Sequence, residues 1–210
     1  MNYLFALFSL ALCTVWTTAP AAPSRDTGDL ILRGGAWEIR PKSDNNDIVA
    51  VDDGLGFGFN FTYMFADDFG VEVLAAMPFT HDILLDATDT KIGDVQHLPP
   101  TVSVQWHPEL GSRFMPYVGA GLNVTLFFDE TIDQTTGFSN LDVDTASFGP
   151  SINVGLDYYL SDNMLINLDV RYIGIETDAS VTDIASGTEV DLGTIEIDPW
   201  VYGINFGWQF

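Results

Sequence analysis

Cysteine and basic residues are both scarce in this sequence of 210 residues. Its single cysteine, Cys13, lies in an N-terminal apolar segment. A mature chain without that segment has no disulfide, no thiolate metal site and no catalytic cysteine. Seven Lys and Arg residues stand against thirty Asp and Glu residues, giving a formal net charge of −23. Such an acidic chain is not expected to bind nucleic acid, because binding to phosphates needs Lys and Arg.

Long hydrophobic runs are absent as well, so the sequence predicts no membrane-spanning helix. The apolar run over residues 3–16 is too short, because a spanning helix needs roughly 20 residues. It is followed by Ala19-Pro20-Ala21, which fits a cleavage site of the small-x-small type. We therefore predict a signal peptide over residues 1–21 and one domain over 22–210. The alternative is a buried N-terminal helix.

What the sequence does contain is alternation with a period of two. In residues 55–65, LGFGFNFTYMF, Leu, Phe and Tyr occupy every second position, with Gly, Asn, Thr and Met between them. Side chains of a strand point to opposite faces in turn, so this is a strand with one large apolar face and one small or polar face. The same alternation recurs in eight segments, near 30–39, 55–65, 71–79, 101–106, 118–126, 148–158, 164–172 and 200–210.

Short and long connections alternate between these eight segments. The turns ADDF, PELGSR and SDN are short, whereas the connections near 40–53, 80–96, 128–146 and 176–196 are long and acidic. This asymmetry is typical of outer-membrane barrels, which have short periplasmic turns and long outer loops. The pattern predicts an all-β fold, an eight-stranded antiparallel transmembrane β-barrel of the bacterial outer membrane. The large apolar faces would meet lipid, and the chain would be localised to the cell outer membrane.

The small and polar faces then point into the barrel, where charged residues fall in the periplasmic half. These are Arg33, Glu72, Asp157, Asp169 and Arg171. A lipid-facing Arg costs about 2–4 kcal/mol at the bilayer midplane, which favours an inward Arg33. Since buried charges need partners, the five are expected to pair as a plug of the lumen.

Apolar residues fall on the inward face of the outer half and predict an apolar cup, open to the outside, above the plug. The candidate ligand-binding residues are Trp37, Ile39, Leu74, Phe127, Ile173, Ile175 and Val201, with Pro78 also expected to point inward. An eight-stranded barrel has room for packed side chains or for one small ligand. Ordinary filling of a narrow barrel is therefore the alternative interpretation.

Prolines cluster on two adjacent predicted strands. Pro78 lies on the third strand, which the pattern extends to an outward Phe79, and Pro99 and Pro100 lie on the fourth. Proline cannot donate a ladder hydrogen bond and is normally kept out of central strands. These three residues therefore predict a local opening of the wall, a lateral exit for an apolar solute. A bulge at the rim is the alternative.

The acidic loops give little evidence of dedicated sites. No segment has EF-hand spacing, so we predict no metal site and no cofactor. His81 and His97 are expected near the rim and His107 near a periplasmic turn, each in interfacial hydrogen bonding. The expected partners are outer-membrane lipids and lipopolysaccharide. A further partner is the outer-membrane assembly machinery, because the alternating C-terminal segment ending in Phe210 resembles its recognition signal.

Several segments, in order, resemble one known family. GVEVLAAMPFTHDI, VQHLPPTVSVQWHP, PYVGAGLNVTLFFDE, NVGLDYYL and IDPWVYGINFGWQF are similar to the outer-membrane protein W family, which includes alkane-importing relatives. The resemblance covers residues 30 to 210 approximately. It implies an eight-stranded barrel with an apolar channel, closed toward the periplasm, that passes small hydrophobic molecules sideways into the membrane.

Two functions of different classes follow from these patterns. The first is passive uptake of small hydrophobic molecules with lateral release. The second is a structural or adhesive barrel that acts through its acidic loops. No nucleophile motif accompanies the histidines, so we predict no catalytic residues and no enzyme activity.

Overall fold

The computed structural model describes residues 23–42, 48–85, 88 and 90–210. The predicted signal peptide and Cys13 lie outside these residues. Strands make up most of the described chain: β1 Leu30–Arg40, β2 Val49–Val51, β3 Gly54–Ala66, β4 Phe69–Ala76, β5 Phe79–Leu85, β6 Thr90–Leu98, β7 Thr101–Trp106, β8 Phe114–Ile132, β9 Phe138–Val143, β10 Ala146–Tyr159, β11 Met164–Ile173, β12 Glu176–Asp183, β13 Glu189–Glu196 and β14 Trp200–Gln209. One 3₁₀ turn spans Gln134–Thr136. No helix in the described part of the chain has the length and apolar character to cross a membrane.

Eight of these strands form a closed antiparallel barrel, in the order β1, β3, β4, β7, β8, β10, β11 and β14. The pairing of β14 with β1 closes the ring, with Leu32 opposite Trp208 and Ile39 opposite Val201. Closure gives backbone groups of each strand a partner on both sides, which is the condition for β-structure in hydrocarbon. The predicted fold class is therefore confirmed.

The two faces of the barrel wall carry the residue types that the alternation predicts. Large apolar side chains point outward and are exposed, with Leu55 at 78% and Ile204 at 64%. Asn60 and Thr62, from the small face of the same β3 segment, are fully buried inside. The outward apolar band is what a lipid-facing surface requires.

Beyond this band, the long connections extend the barrel sheet on one side and form a separate smaller sheet on the other. The β5–β6 hairpin pairs with the upper end of β8 and with β2, whereas β9, β12 and β13 form a separate sheet. The outward residues of the hairpin are polar, with Thr80 opposite Gln96 and Asp82 opposite Asp94. This polarity places the hairpin above the hydrocarbon. The end with the short turns is accordingly the periplasmic one.

Candidate functional site

The lower lumen contains a network of buried charges centred on Asp157. Arg33 donates from Nε to Asp157 Oδ1 at 2.9 Å, and Arg25 donates to Asp157 Oδ2. Asn167 Nδ2 donates to Asp157 Oδ1 at 2.7 Å, and Arg33 also reaches Thr62 Oγ1 at 2.9 Å. Each of these charged side chains is fully buried or almost so. One carboxylate thus pairs with two arginines inside the barrel.

A second charge group lies around Arg171. Its guanidinium contacts Asp169 at 2.8 Å and Glu72 at 3.0 Å. Tyr117 donates its hydroxyl hydrogen to Asp169 at 2.7 Å, and Asn167 donates to the Tyr117 hydroxyl at 2.9 Å, which connects this group to Asp157. The structure therefore brings together all five predicted plug residues in one hydrogen-bonded layer.

Sequence reasoning missed three members of this layer, Arg25, His107 and the Tyr117 described above. Arg25 precedes the first strand, and its guanidinium bonds His107 Nδ1 at 2.6 Å as well as Asp157. His107 Nε2 contacts Gln105 Oε1 at 3.1 Å. His107 does border a periplasmic turn, but it is buried in the plug and does not lie at the interface as expected. The described residues before β1 therefore place the Arg25 side chain beneath the barrel, where it joins the plug at the periplasmic end.

Trp37 forms the boundary between the plug and the apolar region above it. Its ring lies over two glycines of the adjacent strands, because a Cβ at Gly58 would come within 2.9 Å of Trp37 Cδ1 and one at Gly203 within 2.7 Å of Cζ3. The Arg171 guanidinium carbon lies 5.1 Å from the centroid of the ring, in cation–π contact. The glycines of the small face therefore serve as space for aromatic rings from neighbouring strands.

Above Trp37, the predicted ligand-binding residues meet in one buried apolar cluster. The cluster contains all seven: Trp37, Ile39, Leu74, Phe127, Ile173, Ile175 and Val201. It continues upward through residues of the hairpin and of the second sheet, such as Ile83, Val95 and Ile195. Their placement follows the predicted pattern, whereas their role in binding stays a prediction.

The cup is covered, contrary to the expectation of a cup open to the outside. Residues of β9, β12 and β13 face the β5–β6 hairpin, and the remaining cavity between the two sheets is about 20 Å³. Its lining is Val51, His81, Ile83, Val95, His97, Phe127, Val143, Thr177, Ile195 and Ile197. A space of this size holds about one water molecule, so a solute must displace the covering loops to occupy it.

Two histidines lie in this apolar lining, where sequence reasoning expected interfacial groups. The rings of His81 and His97 stack with centroids 4.7 Å apart and planes 10° apart. His97 also contacts Phe79 and Phe127, at centroid distances of 5.9 and 6.1 Å. Both side chains are buried. Burial lowers the pKa of His81, and burial together with the His81 ring lowers the pKa of His97 to about 3.

We expect the His97 ring to stay neutral across the physiological range. A ¹⁵N NMR titration of protein labelled at histidine should show no His97 midpoint between pH 8 and pH 5, against about 6.5 for an ordinary histidine. Because the folded pKa lies below the unfolded one, the stability that depends on the neutral ring is complete above pH 6.5 approximately and declines as pH falls toward 3. A His97 midpoint near 6.5 would contradict the burial of the ring.

The barrel wall is incomplete where the prolines lie. β4 pairs with β7 only as far as Leu74 and Thr101, and β5 pairs with β6 from Phe79 and His97 upward. In the described chain, no cross-strand pair joins residues 75–78 to 98–100. On the side of β8 the chain at the break is hydrogen-bonded. The Pro100 carbonyl accepts from Val124 N at 3.0 Å and from Asn123 Nδ2 at 3.1 Å.

The break also changes which residues of the interrupted strand point into the barrel. Pro78 was expected to point inward and Phe79 outward, but Pro78 is exposed and Phe79 is buried. The strand ends at Ala76 and resumes at Phe79, so the period of two does not carry across the interruption. The Phe79 ring lies against Gly56 of β3, and the His81 ring lies against Gly54. These two rings fill the wall where β3 and β5 do not pair.

The acidic residues of the loops concentrate on the outer sheet. An open groove there is lined by Asp142, Asp144, Asp178, Ala179, Ser180, Glu189 and Asp191. Among the described residues, no group of three or more His, Cys, Asp or Glu side chains is arranged to hold a metal ion. The groove is a negatively charged, solvated surface.

Comparisons with known proteins agree with this geometry. The sequence profile of the OmpW family matches residues 26–210. Outer membrane protein W of Vibrio cholerae is 38% identical over 215 residues, covering 96% of this chain and 97% of the relative. Outer membrane protein AlkL of Ectopseudomonas oleovorans is 29% identical over 188 residues, covering 88% of this chain and 76% of AlkL.

A solved structure has the same fold. The crystal structure of the outer membrane protein OprG from Pseudomonas aeruginosa superposes with a TM-score of 0.81 at 36% sequence identity. The superposition covers 90% of this chain and 99% of OprG.

Proposed function

Because this chain belongs to the OmpW family and is an outer-membrane protein, we propose that it is a channel for passive uptake of small hydrophobic molecules, which it releases sideways into the membrane. Passive uptake needs no catalytic residues, and we propose none for this chain. One observation supports the proposal most directly: the wall is interrupted beside an apolar cluster that is sealed below by ions.

The proposed path has three parts. A solute displaces the outer sheet and enters the apolar cluster, where its transfer from water is favourable. It cannot continue downward, because the buried Arg and Asp side chains of the plug would have to lose their partners. It leaves between residues 75–78 and 98–100, where fewer backbone hydrogen bonds have to be broken than elsewhere in the wall.

Phe79 is the obstacle at the exit in the closed state. The Phe79 ring is buried and lies against Gly56. Moving it requires the rotation of one side chain and breaks no backbone hydrogen bond between strands. Pro78 and Pro99 keep the ladder from extending across the exit, because neither can donate a backbone hydrogen bond. We therefore assign the three prolines to the exit and Phe79 to its closure.

Replacing both Pro78 and Pro99 by alanine should slow uptake of n-octane by cells that carry the protein. The two restored N–H groups allow the ladder to extend, and breaking two additional hydrogen bonds of about 1 kcal/mol each makes opening about thirtyfold rarer. Pro116→Ala in β8, far from the break, is the matched control and should leave uptake unchanged. Unchanged uptake by a correctly folded double variant would remove the lateral exit.

A second candidate function is adhesion through the loops, and the acidic groove of the outer sheet favours it. An adhesive barrel uses its wall only as a support. The same proline variant therefore separates the two functions, because adhesion does not depend on an opening between β4 and β7.

A further inference from the structure

Two buried nitrogen atoms in the apolar cup have no assigned partner. His81 Nε2 and His97 Nε2 are both buried, and neither has a hydrogen-bond partner among the residues that the structure describes. A buried polar atom left unpaired is unfavourable by about the desolvation energy of the group, so such atoms are usually paired. The rest of the lining is apolar except for Thr177, whose hydroxyl donates to the Asp178 carbonyl, so the two nitrogen atoms are the polar feature by which the cup can distinguish one apolar molecule from another.

The tautomer of His81 follows from its surroundings. Its Nδ1 lies 2.6 Å from the backbone carbonyl oxygen of Asp52, which can only accept, so Nδ1 carries the hydrogen. In a neutral ring Nε2 is then an acceptor and needs a donor. The carboxylates near this ring, of Asp52, Asp53 and Asp82, favour its charged form, but burial outweighs them and lowers the pKa.

We propose that His81 and His97 form a hydroxyl-binding anchor, so that the preferred cargo is an apolar molecule with one alcohol group and not a pure hydrocarbon. This inference rests on the proposed uptake function. A hydroxyl both donates and accepts. It can donate to His81 Nε2 while its oxygen faces the adjacent His97 ring, which stacks 4.7 Å away. An ether or ester of the same length can only accept and would leave His81 Nε2 unpaired.

Once the covering loops are displaced, the rest of the cup suits the apolar part of such a molecule. Ile83, Val95 and Phe127 line the same cavity, and the Phe79 ring contacts His97 at a centroid distance of 5.9 Å. A carboxylate head is disfavoured, because the acidic side chains beside His81 repel an anion. The anchor therefore selects for a neutral donor and not for charge.

The experiment compares uptake of 1-octanol and n-nonane, two chains of the same heavy-atom length, by cells that carry the protein. One hydrogen bond should give the alcohol an advantage of about fivefold over the alkane. The double variant His81→Phe with His97→Phe keeps the aromatic stack and removes the nitrogens. It should lose the alcohol advantage, so that the ratio of alcohol uptake to alkane uptake falls about fivefold.

A ¹⁵N spectrum of the histidine-labelled protein in nanodiscs provides the second readout. 1-Octanol should shift the His81 Nε2 resonance, whereas n-nonane and methyl heptyl ether should leave it in place. An unchanged alcohol-to-alkane ratio in the double variant would overturn the anchor, and so would an equal loss of both uptakes. If cells without the protein take up both molecules as fast as cells that carry it, the proposed function itself fails. A change in the ratio of alcohol uptake to alkane uptake would not by itself indicate that failure.

Discussion

Replacing Asp157 by alanine should destabilise the barrel by about 3–5 kcal/mol, the range for breaking a buried ion pair by removal of one partner. The substitution leaves both Arg25 and Arg33 buried without their carboxylate, and Asn167 loses its acceptor at 2.7 Å. Thr62 and Asn60 still accept from Arg33, at 2.9 and 3.4 Å, but they carry no charge. Urea unfolding of the refolded protein, followed by the shift between folded and unfolded bands on gels, measures the difference.

A charge-balanced variant separates electrostatics from packing in this prediction. Asp157→Asn keeps the size of the side chain but loses its charge, so it should still be destabilised. Adding Arg33→Gln removes one of the two stranded cations, and part of the stability should return. If Asp157→Ala unfolds within 1 kcal/mol of the wild type, about the size of a surface ion pair, the plug does not hold the barrel together.

The barrel and its plug were predictable because both depend on the period of two. The eight alternating segments correspond to β1, β3, β4, β7, β8, β10, β11 and β14, and strand direction gave the height of each inward residue. Arg33 and Asp157 lie far apart in sequence, yet both were assigned to the same buried layer. The alternation shows whether a side chain points into the barrel or out of it, even when the residues that it contacts are unknown.

Residues outside the regular strands were not predictable in this way. Arg25 precedes β1 and belongs to no alternating segment, so its place beneath the plug had no signal in the sequence. Phe79 and His81 follow a two-residue break at Met77 and Pro78, which reset the faces of the strand. The prolines signalled the break, but how the chain resumes afterwards depends on tertiary pairing with β6.

The covered cup also depends on contacts that the sequence pattern does not specify. β9, β12 and β13 lie in connections that were interpreted as acidic loops, and their inward residues Val143, Val181 and Ile195 join the apolar cluster. In the sequence, a short strand in which apolar residues alternate with acidic residues resembles a solvated loop. The acids mark the outward face of a sheet whose inward face covers the cup.

Replacing Trp37 by alanine should also lower the free energy of unfolding by about 3–5 kcal/mol, the usual range for a buried Trp changed to Ala. The ring is 2% exposed, packs on Gly58 and Gly203, and separates the apolar cluster from Arg171. Its removal joins the cup to a new cavity above the plug. Differential scanning calorimetry of the protein in nanodiscs gives the loss as a lower Tm.

The cavity left by Trp37→Ala should accept an apolar probe, as dry engineered cavities do. Added indole should raise the Tm of the variant, because a ligand that binds only the folded state stabilises it by mass action. Trp37→Phe is the matched control: it retains a smaller ring in the lumen, and the Nε1–H group that it loses has no partner among the described residues. It should therefore lose less stability and gain little from indole. Equal stability of the two variants would mean that the Trp37 ring does not divide the lumen. In that case the ionic plug alone would have to keep an apolar solute from passing through to the periplasm.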